Sequence, residues 1–275
     1  MKLSSRVALA LARRLPRGYW RLTRAAAERD RALWDLPLEL RLLPGQLIRA
    51  DLRQSVYVQL LRHGCFPHQL GEDLLVRRLL REGDTVIDVG ANVGYPTILF
   101  AAAVGRTGQV IALEPGPLTF SLLQRTAQAW SNVSCIQVAA SNSEGETRFF
   151  EREDLDISSL RPDPTARSVS VPTTTVDHLF RQYGRPQFVK IDVEGFEHLV
   201  LEGMSQLLAD ASPPIILFEA LDAPSLTQST QVIGRHARTP FEISRVRSDG
   251  GLTALGDTCG TNNYLAMPLC HRSRL

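Results

Sequence analysis

Three charged residues follow an apolar, strand-like segment in the second half of the chain. In Lys190-Ile-Asp-Val-Glu-Gly195, alternation places Lys190, Asp192 and Glu194 on one side and the apolar residues on the other. Charges at the end of a buried strand are costly unless they are paired or used. Asp192 is therefore predicted to be functional, and the alternative is a local ion pair with Lys190 that caps the next helix. For Glu194 the two alternatives are balanced, because a helix dipole also favours a carboxylate in the first turn.

A second carboxylate ends another apolar run, Ile215–Glu219. Because parallel strands of one sheet end at the same edge, we expect Glu219 to lie at the same rim as Asp192. If the two strands are neighbours, both carboxylates can reach one cation, and their oxygen atoms would suit Mg²⁺. The alternative without a metal makes Asp192 a base and Glu219 an acceptor of a hydrogen bond from the substrate.

A glycine-containing turn lies between the strand-like segment Thr85–Val89 and a helix. In Asp88-Val-Gly-Ala-Asn-Val-Gly-Tyr95, Gly90 permits a tight turn and Gly94 lets the helix approach the strand closely. A helix that starts beyond the carboxyl end of a strand offers its N–H groups to a ligand. A turn that merely requires glycine is the alternative.

The next strand favours a nucleotide-like ligand at this turn. Glu114 ends that strand, 24 residues after Gly90, where a carboxylate can accept hydrogen bonds from both ribose hydroxyls of an adenosine. Asp88 ends the first strand beside the same site. A dinucleotide fingerprint reads Gly-x-Gly-x-x-Gly, whereas this turn reads Gly-x-Asn-x-Gly. The pattern therefore favours a ligand with an adenosine and an amino-acid tail.

Strands and helices alternate from residue 84 onward. Strands are predicted over Thr85–Val89, Gln109–Leu113, Val133–Ala139, Gln187–Ile191, Ile215–Glu219, Phe241–Arg247 and Asn263–Met267. Helices are predicted over Leu52–Arg62, Gln69–Leu80, Pro96–Val104, Pro117–Trp130, Thr175–Tyr183 and Glu194–Ala209, with Glu197 and His198 on the surface of the last. Thr147–Phe150 and Ser168–Val171 are expected to pair as an antiparallel ribbon around the loop 152–167. This order predicts an α/β fold with a mostly parallel sheet, covered on both faces, and an antiparallel edge.

Together these motifs resemble the FkbM family of S-adenosylmethionine-dependent methyltransferases. The resemblance covers roughly residues 65–268 and rests on Asp88–Tyr95, Ala112–Pro115, Thr175–Asp177, Lys190–Gly195, Gly203–Met204 and Asn263–Pro268. It implies the class I methyltransferase fold, a Rossmann-like fold with a seven-stranded sheet, and methylation of a hydroxyl on a sugar, glycan or small metabolite. It also implies contacts with S-adenosylmethionine from Asp88, Gly90, Ala91, Asn92, Gly94 and Tyr95, with its ribose from Glu114, and with its adenine from Ala140 and Ser141.

In such a reaction the acceptor hydroxyl needs a base or a metal to become nucleophilic, and Asp192 is the candidate general base or metal ligand. Assistance by a base to a poorly nucleophilic alcohol is worth about 10²–10⁴ in rate. Lys190 would orient Asp192 or stabilise charge on the attacking oxygen, and Glu194 completes the candidate catalytic set. Pro96 departs from the family pattern, in which a bulky residue is usual, but proline is tolerated in a first helical turn.

Charge is unevenly distributed along the chain. Residues 1–49 contain eleven Lys or Arg and four Asp or Glu, a balance of +7, whereas the remainder has 20 basic and 25 acidic residues, a balance of −5. We predict a basic, helical N-terminal extension over residues 1–50 and a methyltransferase domain over residues 51–275. Such an extension can make weak contacts with anionic lipid, nucleic acid or an acidic partner, although an ordinary solvated helix is favoured.

Composition also limits the compartment and the class of protein. No run reaches the roughly 18 apolar residues of a transmembrane helix, and no clear cleavage site follows the short apolar stretch Val7–Ala12. The four cysteines form no Cys-x-x-Cys pair, which favours reduced thiols and the cytoplasm. We expect a cytoplasmic enzyme that acts on a small molecule or glycan and not on nucleic acid. A nucleic-acid methyltransferase and a catalytically silent nucleotide-binding module are the alternatives, and the turn disfavours a nucleotide-dependent oxidoreductase.

Overall fold

The computed structural model describes residues 1–15, 18–151, 164–257 and 260–275. The chain folds as two compact units, Met1–Gln69 and Leu70–Glu151 together with the described residues from 164 onward. The sequence predicts a boundary at residue 50, whereas the first unit continues to Gln69. The reason is the helix Ser55–His63, which packs on elements of that unit through a buried, largely apolar face.

The first unit combines three helices with a β-hairpin. Its elements are α1 (Leu3–Ala12), α2 (Tyr19–Arg29), β1 (Leu36–Leu40), β2 (Leu43–Ala50) and α3 (Ser55–His63), with a short 3₁₀ turn at Arg31–Leu33. The helical expectation for residues 1–50 therefore holds for α1 and α2 but is wrong for residues 36–50. These residues pair as antiparallel strands, with Leu38 opposite Ile48 and both side chains buried.

The second unit is built on an eight-stranded sheet. Its strands are β3 (Thr85–Val89), β4 (Gln109–Leu113), β5 (Val133–Ile136), β9 (Phe188–Ile191), β10 (Ile215–Glu219), β11 (Phe241–Val246), β12 (Leu252–Thr253) and β13 (Asn263–Pro268). Their spatial order is β12-β11-β13-β10-β9-β3-β4-β5. The five strands from β10 to β5 are parallel, and β13, β11 and β12 form the antiparallel edge. The predicted α/β class and the mostly parallel sheet with an antiparallel edge are confirmed. Each of the seven predicted strands has a counterpart in the sheet, and the two-residue β12 adds an eighth.

A smaller sheet of three strands lies in the same unit. It contains β6 (Ala139–Ala140), β7 (Gly145–Glu151) and β8 (Arg167–Thr174), in the order β6-β8-β7. The antiparallel pairing of β7 and β8 confirms the predicted ribbon. Most of the predicted loop, residues 152–163, lies outside the described residues, as does Cys259.

Helices cover the large sheet on both faces. They are α4 (Leu70–Leu79), α5 (Tyr95–Val104), α6 (Pro117–Ala127), α7 (Val176–Tyr183), α8 (Glu197–Glu202), α9 (Ser205–Leu208) and α10 (Ala223–His236). The sequence predicts one helix over Glu194–Ala209, but α8 and α9 are separate. Gly203 lies between them. Glycine is needed at this position because a Cβ would come 2.0 Å from the carbonyl oxygen of Ser141. Helix α10 has no counterpart among the predicted elements.

Alternation along the strands divides the apolar core between the two faces. Ile87 and Val89 of β3 pack with side chains of α7 to α10, whereas Val86 packs with side chains of α4 and α5. Among the described residues, no helix is both long and apolar enough to cross a membrane. The carboxyl ends of β3 and β9 lie side by side where the chain order reverses direction, the position at which open α/β sheets bind ligands.

Candidate active site

The turn after β3 is held by backbone hydrogen bonds to the next strand. The N–H groups of Gly90 and Ala91 both donate to the carbonyl oxygen of Leu113, at 3.0 and 2.9 Å. Gly90, Asn92 and Gly94 have φ values of +79°, +50° and +85°, in the left-handed region that glycine and asparagine tolerate best. The turn therefore requires the residue types that the sequence places there.

Glu114 joins β4 to this turn. Its Oε2 accepts from the N–H of Asn92 at 2.9 Å, and its Oε1 accepts from Gly116 N–H and from Thr119 Oγ1 at 2.9 and 2.7 Å. Burial raises the pKa of the Glu114 carboxyl, while these three donors oppose the rise. Because a carboxylate has about four acceptor positions, Glu114 keeps room for about one more donor. Glu114 therefore has room to accept from one ribose hydroxyl, whereas the sequence predicts bonds from both.

Two buried acceptor atoms beside the turn have no hydrogen-bond partner in the part of the chain that the structure describes. Asp88 is fully buried, and its Oδ2 accepts from Thr97 Oγ1 at 2.6 Å. Its Oδ1, like Oδ1 of Asn92, has no hydrogen-bond partner among the described residues. Since an unsatisfied buried acceptor costs about 1–3 kcal/mol, these two atoms mark a place that a ligand or water would complete.

Tyr95 faces away from solvent and extends the polar cluster into α4. The sequence assigns it to the cofactor, yet its side chain is fully buried and its hydroxyl donates to Asp73 Oδ2 at 2.9 Å. Burial raises the pKa of Asp73 to about 7, while the bond from Tyr95 and the charge of Lys190 oppose the rise. The side chain of Tyr95 is therefore part of the core and orients the Asp73 carboxyl. A contact between Tyr95 and the cofactor stays a prediction.

Lys190 and Asp192 form a hydrogen-bonded ion pair at the end of β9. The distance from Lys190 Nζ to Asp192 Oδ2 is 2.8 Å, and the side-chain exposures are 5% and 25%. Burial by itself would lower the pKa of Lys190, but the charges of Asp192, Asp88 and Glu72 outweigh it and raise that pKa. The ion pair that formed the alternative to a functional Asp192 is therefore present, but Asp192 does not cap α8, because that helix begins after Phe196 without a side-chain cap.

The two motifs meet directly. The N–H of Asp192 donates to the carbonyl oxygen of Val89 at 3.0 Å. A Cβ on Gly90 would lie 1.9 Å from the carbonyl oxygen of Asp192, closer than atoms can approach. Glycine at position 90 therefore lets the glycine turn and the Asp192 segment occupy adjacent space.

Two predictions about the residues after Asp192 are wrong. Glu194 is not in a helical turn, because its φ is +57° and α8 begins at Glu197. Glu197 is not on the surface either, since its side chain is 1% exposed. Its Oε1 accepts from the N–H groups of Val193 and Gly195 at 3.1 and 3.0 Å, which fixes the turn that presents Asp192 and Glu194.

Three carboxylates converge at the rim. Strand β10 pairs with β9, as the metal hypothesis requires, and ligand oxygens of Asp192, Glu194 and Glu219 lie within 4.8 Å of one another. Burial raises the pKa of Glu219 to about 8, and the charge of Asp192 is the next cause. At neutral pH the Glu219 carboxyl is therefore mostly protonated in the absence of a cation.

Residues far apart in the sequence complete this cluster. Asn263 lies opposite Glu219 in the pairing of β10 with β13, and its Nδ2 donates to Glu72 Oε1 at 2.5 Å. Burial raises the pKa of Glu72 well above its usual range, although the Lys190 charge opposes the rise. Sequence reasoning missed Glu72 and Asp73, because acidic residues in a first helical turn are also ordinary.

The predicted adenine residues lie on the smaller sheet. Ala140 pairs with Thr174 and belongs to the apolar core that includes Val89 and Leu113. The N–H of Ser141 donates to the carbonyl oxygen of Thr174 at 2.8 Å. These contacts explain the burial of Ala140, and the adenine contact stays a prediction.

Comparison with known proteins identifies the family. The sequence profile described as Methyltransferase FkbM domain matches residues 88–242, more than half of the chain. Hexuronic acid methyltransferase AglP of Haloferax volcanii is 29% identical over 193 residues, which cover 65% of this chain and 79% of that protein. Protein-L-isoaspartate O-methyltransferase of Methanococcus aeolicus is 24% identical over 100 residues, 36% of this chain and 43% of that protein.

A solved structure shows the same fold. The crystal structure of methyltransferase FkbM from Methylobacillus flagellatus superposes with a TM-score of 0.51 at 17% sequence identity. The match covers 95% of this chain but only 58% of that chain. The profile match, the fold and the junction of the glycine turn with the Lys190–Asp192 pair agree, and the chain belongs to the FkbM family of methyltransferases.

Proposed function

We propose that this protein transfers a methyl group from S-adenosylmethionine to a hydroxyl group of a sugar or glycan. The observation that carries the proposal is the Asp192 carboxylate, which is partly exposed, anchored by a buried lysine and adjacent to the glycine turn. The family supports methyl transfer, and the relative named for hexuronic acid supports a saccharide acceptor.

The residues at the turn fit the donor molecule. S-adenosylmethionine supplies a methyl group bonded to a positively charged sulfur. Its ammonium, ribose hydroxyls and adenine amino group are hydrogen-bond donors, and the buried Oδ1 atoms of Asp88 and Asn92 are acceptors without a partner among the described residues. Glu114 would take a ribose hydroxyl at its remaining acceptor position. Gly90, Ala91 and Gly94 would bring the backbone close to the molecule.

Asp192 would act as the general base. Its Oδ2 is occupied by Lys190, so its Oδ1 would receive the hydroxyl proton while the oxygen–methyl bond forms and the sulfur–methyl bond breaks. Lys190 would hold the carboxylate in one orientation, and its positive charge would stabilise the developing negative charge of the acceptor oxygen. Glu197 would fix the backbone that presents the base.

A metal-assisted variant uses the same carboxylates. Asp192, Glu194 and Glu219 offer oxygen ligands of the kind Mg²⁺ prefers, and the ion would raise the acidity of the acceptor hydroxyl. Burial and the neighbouring carboxylates raise the pKa of Glu219, so a cation that binds there would release a proton from this group. Chelation separates the two: we expect methyl transfer to continue in excess chelator, and loss that Mg²⁺ restores would support the metal.

A transfer assay tests the proposed acceptor. The protein is incubated with methyl-labelled S-adenosylmethionine and a saccharide that carries a hexuronic acid, with the matching neutral saccharide as a second acceptor. We expect label in the saccharide as an ether that resists mild alkali. Label released by mild alkali would indicate an ester of the carboxyl group and overturn hydroxyl methylation. Label in RNA alone would support a nucleic-acid methyltransferase. Donor binding without transfer to any acceptor would support a catalytically silent nucleotide-binding module.

A further inference from the structure

Helix α1 of the first unit has a buried face of small and apolar residues and an exposed aliphatic face. One face is buried in the contact with α2, and its residues are Ser5, Ala8, Leu9 and Ala12. The other consists of large aliphatic side chains four residues apart, with exposures of 77%, 52%, 46% and 37% for Leu3, Val7, Leu11 and Leu15. The N–H of Leu15 donates to the carbonyl oxygen of Leu11 at 2.9 Å, so the helical spacing continues to the last of them.

The exposed aliphatic residues form one continuous stripe. Residues four apart in an α-helix are neighbours, and each step advances about 40° around the axis and about 6 Å along it. We call the set Leu3, Val7, Leu11 and Leu15 the α1 stripe. Single exposed apolar residues need no explanation, but a contiguous stripe marks an interaction surface.

Basic side chains border the α1 stripe. Residues 1–27 contain seven Lys or Arg and no Asp or Glu. At about 100° per residue, Arg6 and Arg13 fall along one side of the stripe, and Arg14 falls within it. All three side chains are exposed. The surface is therefore both apolar and strongly positive.

This combination selects one kind of partner. A nucleic acid would satisfy the arginines but has no apolar layer for four aliphatic side chains. A second copy of this chain would cover the stripe but would bring two positive surfaces together. An anionic bilayer satisfies both, because aliphatic side chains enter the acyl boundary while arginines stay at the headgroups.

We propose that α1 binds to the surface of anionic membranes through the α1 stripe and its flanking arginines. The buried face of the helix keeps its contact with α2, so binding needs no unfolding of the unit. The proposal is independent of the methyl-transfer reaction, and it assigns a role to the extension that the FkbM profile does not cover.

Vesicle flotation of the full chain tests the proposal. Vesicles of phosphatidylcholine alone are compared with vesicles of phosphatidylcholine and phosphatidylglycerol in equal parts. The stripe variant, Leu3→Gln/Val7→Gln/Leu11→Gln, removes three of the four stripe residues, and the arginine variant, Arg6→Gln/Arg13→Gln/Arg14→Gln, removes the positive charge beside and within the stripe. As a matched control, Leu255→Gln/Leu269→Gln/Leu275→Gln removes leucines with exposures of 40%, 45% and 59% elsewhere.

We expect the wild-type chain to bind the anionic vesicles much more strongly than the neutral ones. The arginine variant should bind them on the order of a hundredfold more weakly. The stripe variant should bind at least about tenfold more weakly, and the control should bind like wild type. Equal binding by the stripe variant, binding to RNA without binding to vesicles, or lipid-free self-association that the stripe variant abolishes would each overturn the proposal.

Discussion

The turn after β3 and the segment after β9 lie side by side, but different interactions hold them. The turn is fixed by backbone N–H groups that donate to Leu113 and to Glu114. The segment after β9 is also held by backbone N–H groups, which donate to Glu197. It differs in that the carboxylate it presents, Asp192, is paired with the buried Lys190 cation, whose pKa the charges of Asp192, Asp88 and Glu72 raise. Both segments therefore rest on directional hydrogen bonds, and the second depends in addition on a balance of buried charges.

The turn and the Asp192 segment are therefore expected to respond differently to mutation. A hydrogen-bonded turn fails when its shape is altered, because each donor has one geometry. A buried charge cluster fails when its balance is altered, because removing one partner leaves the others uncompensated. The two sides also suit the two proposed ligands, a donor molecule that must be held and a hydroxyl that must lose a proton.

The largest effect is expected where the two sides touch. Gly90→Ala would place a Cβ 1.9 Å from the carbonyl oxygen of Asp192 on a backbone with φ of +79°. We expect a loss of at least about 4 kcal/mol in the free energy of unfolding, because backbone must move in both segments. Gly184→Ala is the matched control, since Gly184 also has a positive φ but no atom of the described residues lies within 4 Å of the added Cβ.

Denaturant titration of both glycine variants measures this difference. The control should lose only about 1–3 kcal/mol, the cost of backbone strain alone. Similar losses in the two variants would show that the turn and the Asp192 segment are not in close contact.

Removing the cation tests the charged side. Lys190→Met would leave Asp88, Asp192 and Glu72 without their shared positive charge. We expect a loss of about 3–5 kcal/mol in the free energy of unfolding, the usual cost of breaking a buried pair. Arg185→Met breaks the more exposed pair with Asp210 and should cost about 0–1 kcal/mol. A similarly small loss at Lys190 would mean that its carboxylates are solvated rather than dependent on it.

A smaller effect is expected on the hydrogen-bonded side. Glu114→Gln keeps the size of the side chain but makes one of its two oxygens a donor group, so the bonds from Asn92 and Gly116 cannot both persist. Calorimetry with S-adenosylhomocysteine should show affinity weaker by about 1.5–3 kcal/mol. Thr119→Val, which removes the hydroxyl that contacts Oε1 and the carbonyl oxygen of Gly116 but leaves both backbone N–H bonds to Glu114, should weaken it less. Unchanged affinity in folded Glu114→Gln would rule out the ribose assignment.

The smallest effect is a pH dependence of stability from Asp73. Burial raises its pKa in the folded protein to about 7, above its ordinary value of 3.8. The folded state therefore holds this proton more tightly than the unfolded state, and the resulting stability is full below pH 3.8 and lost as pH rises through about 7.

Asp73→Asn removes this titration and keeps an acceptor for Tyr95. Between pH 5 and pH 8, the stability of wild type relative to Asp73→Asn should fall by about 2 kcal/mol. Denaturation midpoints at several pH values measure the difference. A constant difference across that range would mean that Asp73 is ionised throughout, with its charge balanced by its neighbours.

Local patterns in the sequence were sufficient for the hydrogen-bonded side. The strands over 85–89 and 109–113, the glycines between them and the carboxylate at 114 are close in the chain, and their spacing encodes their contacts. The hairpin of β1 and β2 was within reach of the same reasoning, because Leu38, Leu40, Ile48 and Ala50 alternate with exposed residues.

The charged side could be predicted only in part. Asp192 and Lys190 stand two residues apart on one strand, so their pairing follows from alternation. Glu72 and Asn263 are separated by 191 positions, and nothing local relates them. Glu197 was mistaken for a surface residue because its role depends on two backbone N–H groups that point inward after β9.

The proposed methyl transfer depends most directly on the base at position 192. Asp192→Asn keeps the shape of the side chain but cannot take a proton. Asp210→Asn is the matched control, because Asp210 is also paired with a basic residue, Arg185. The rate constant of single-turnover methyl transfer should be lower by a factor of about 10²–10⁴ in Asp192→Asn. Binding of S-adenosylhomocysteine should be retained, and the control should transfer the methyl group at the wild-type rate. A wild-type rate in Asp192→Asn would show that Asp192 is structural and would contradict the account.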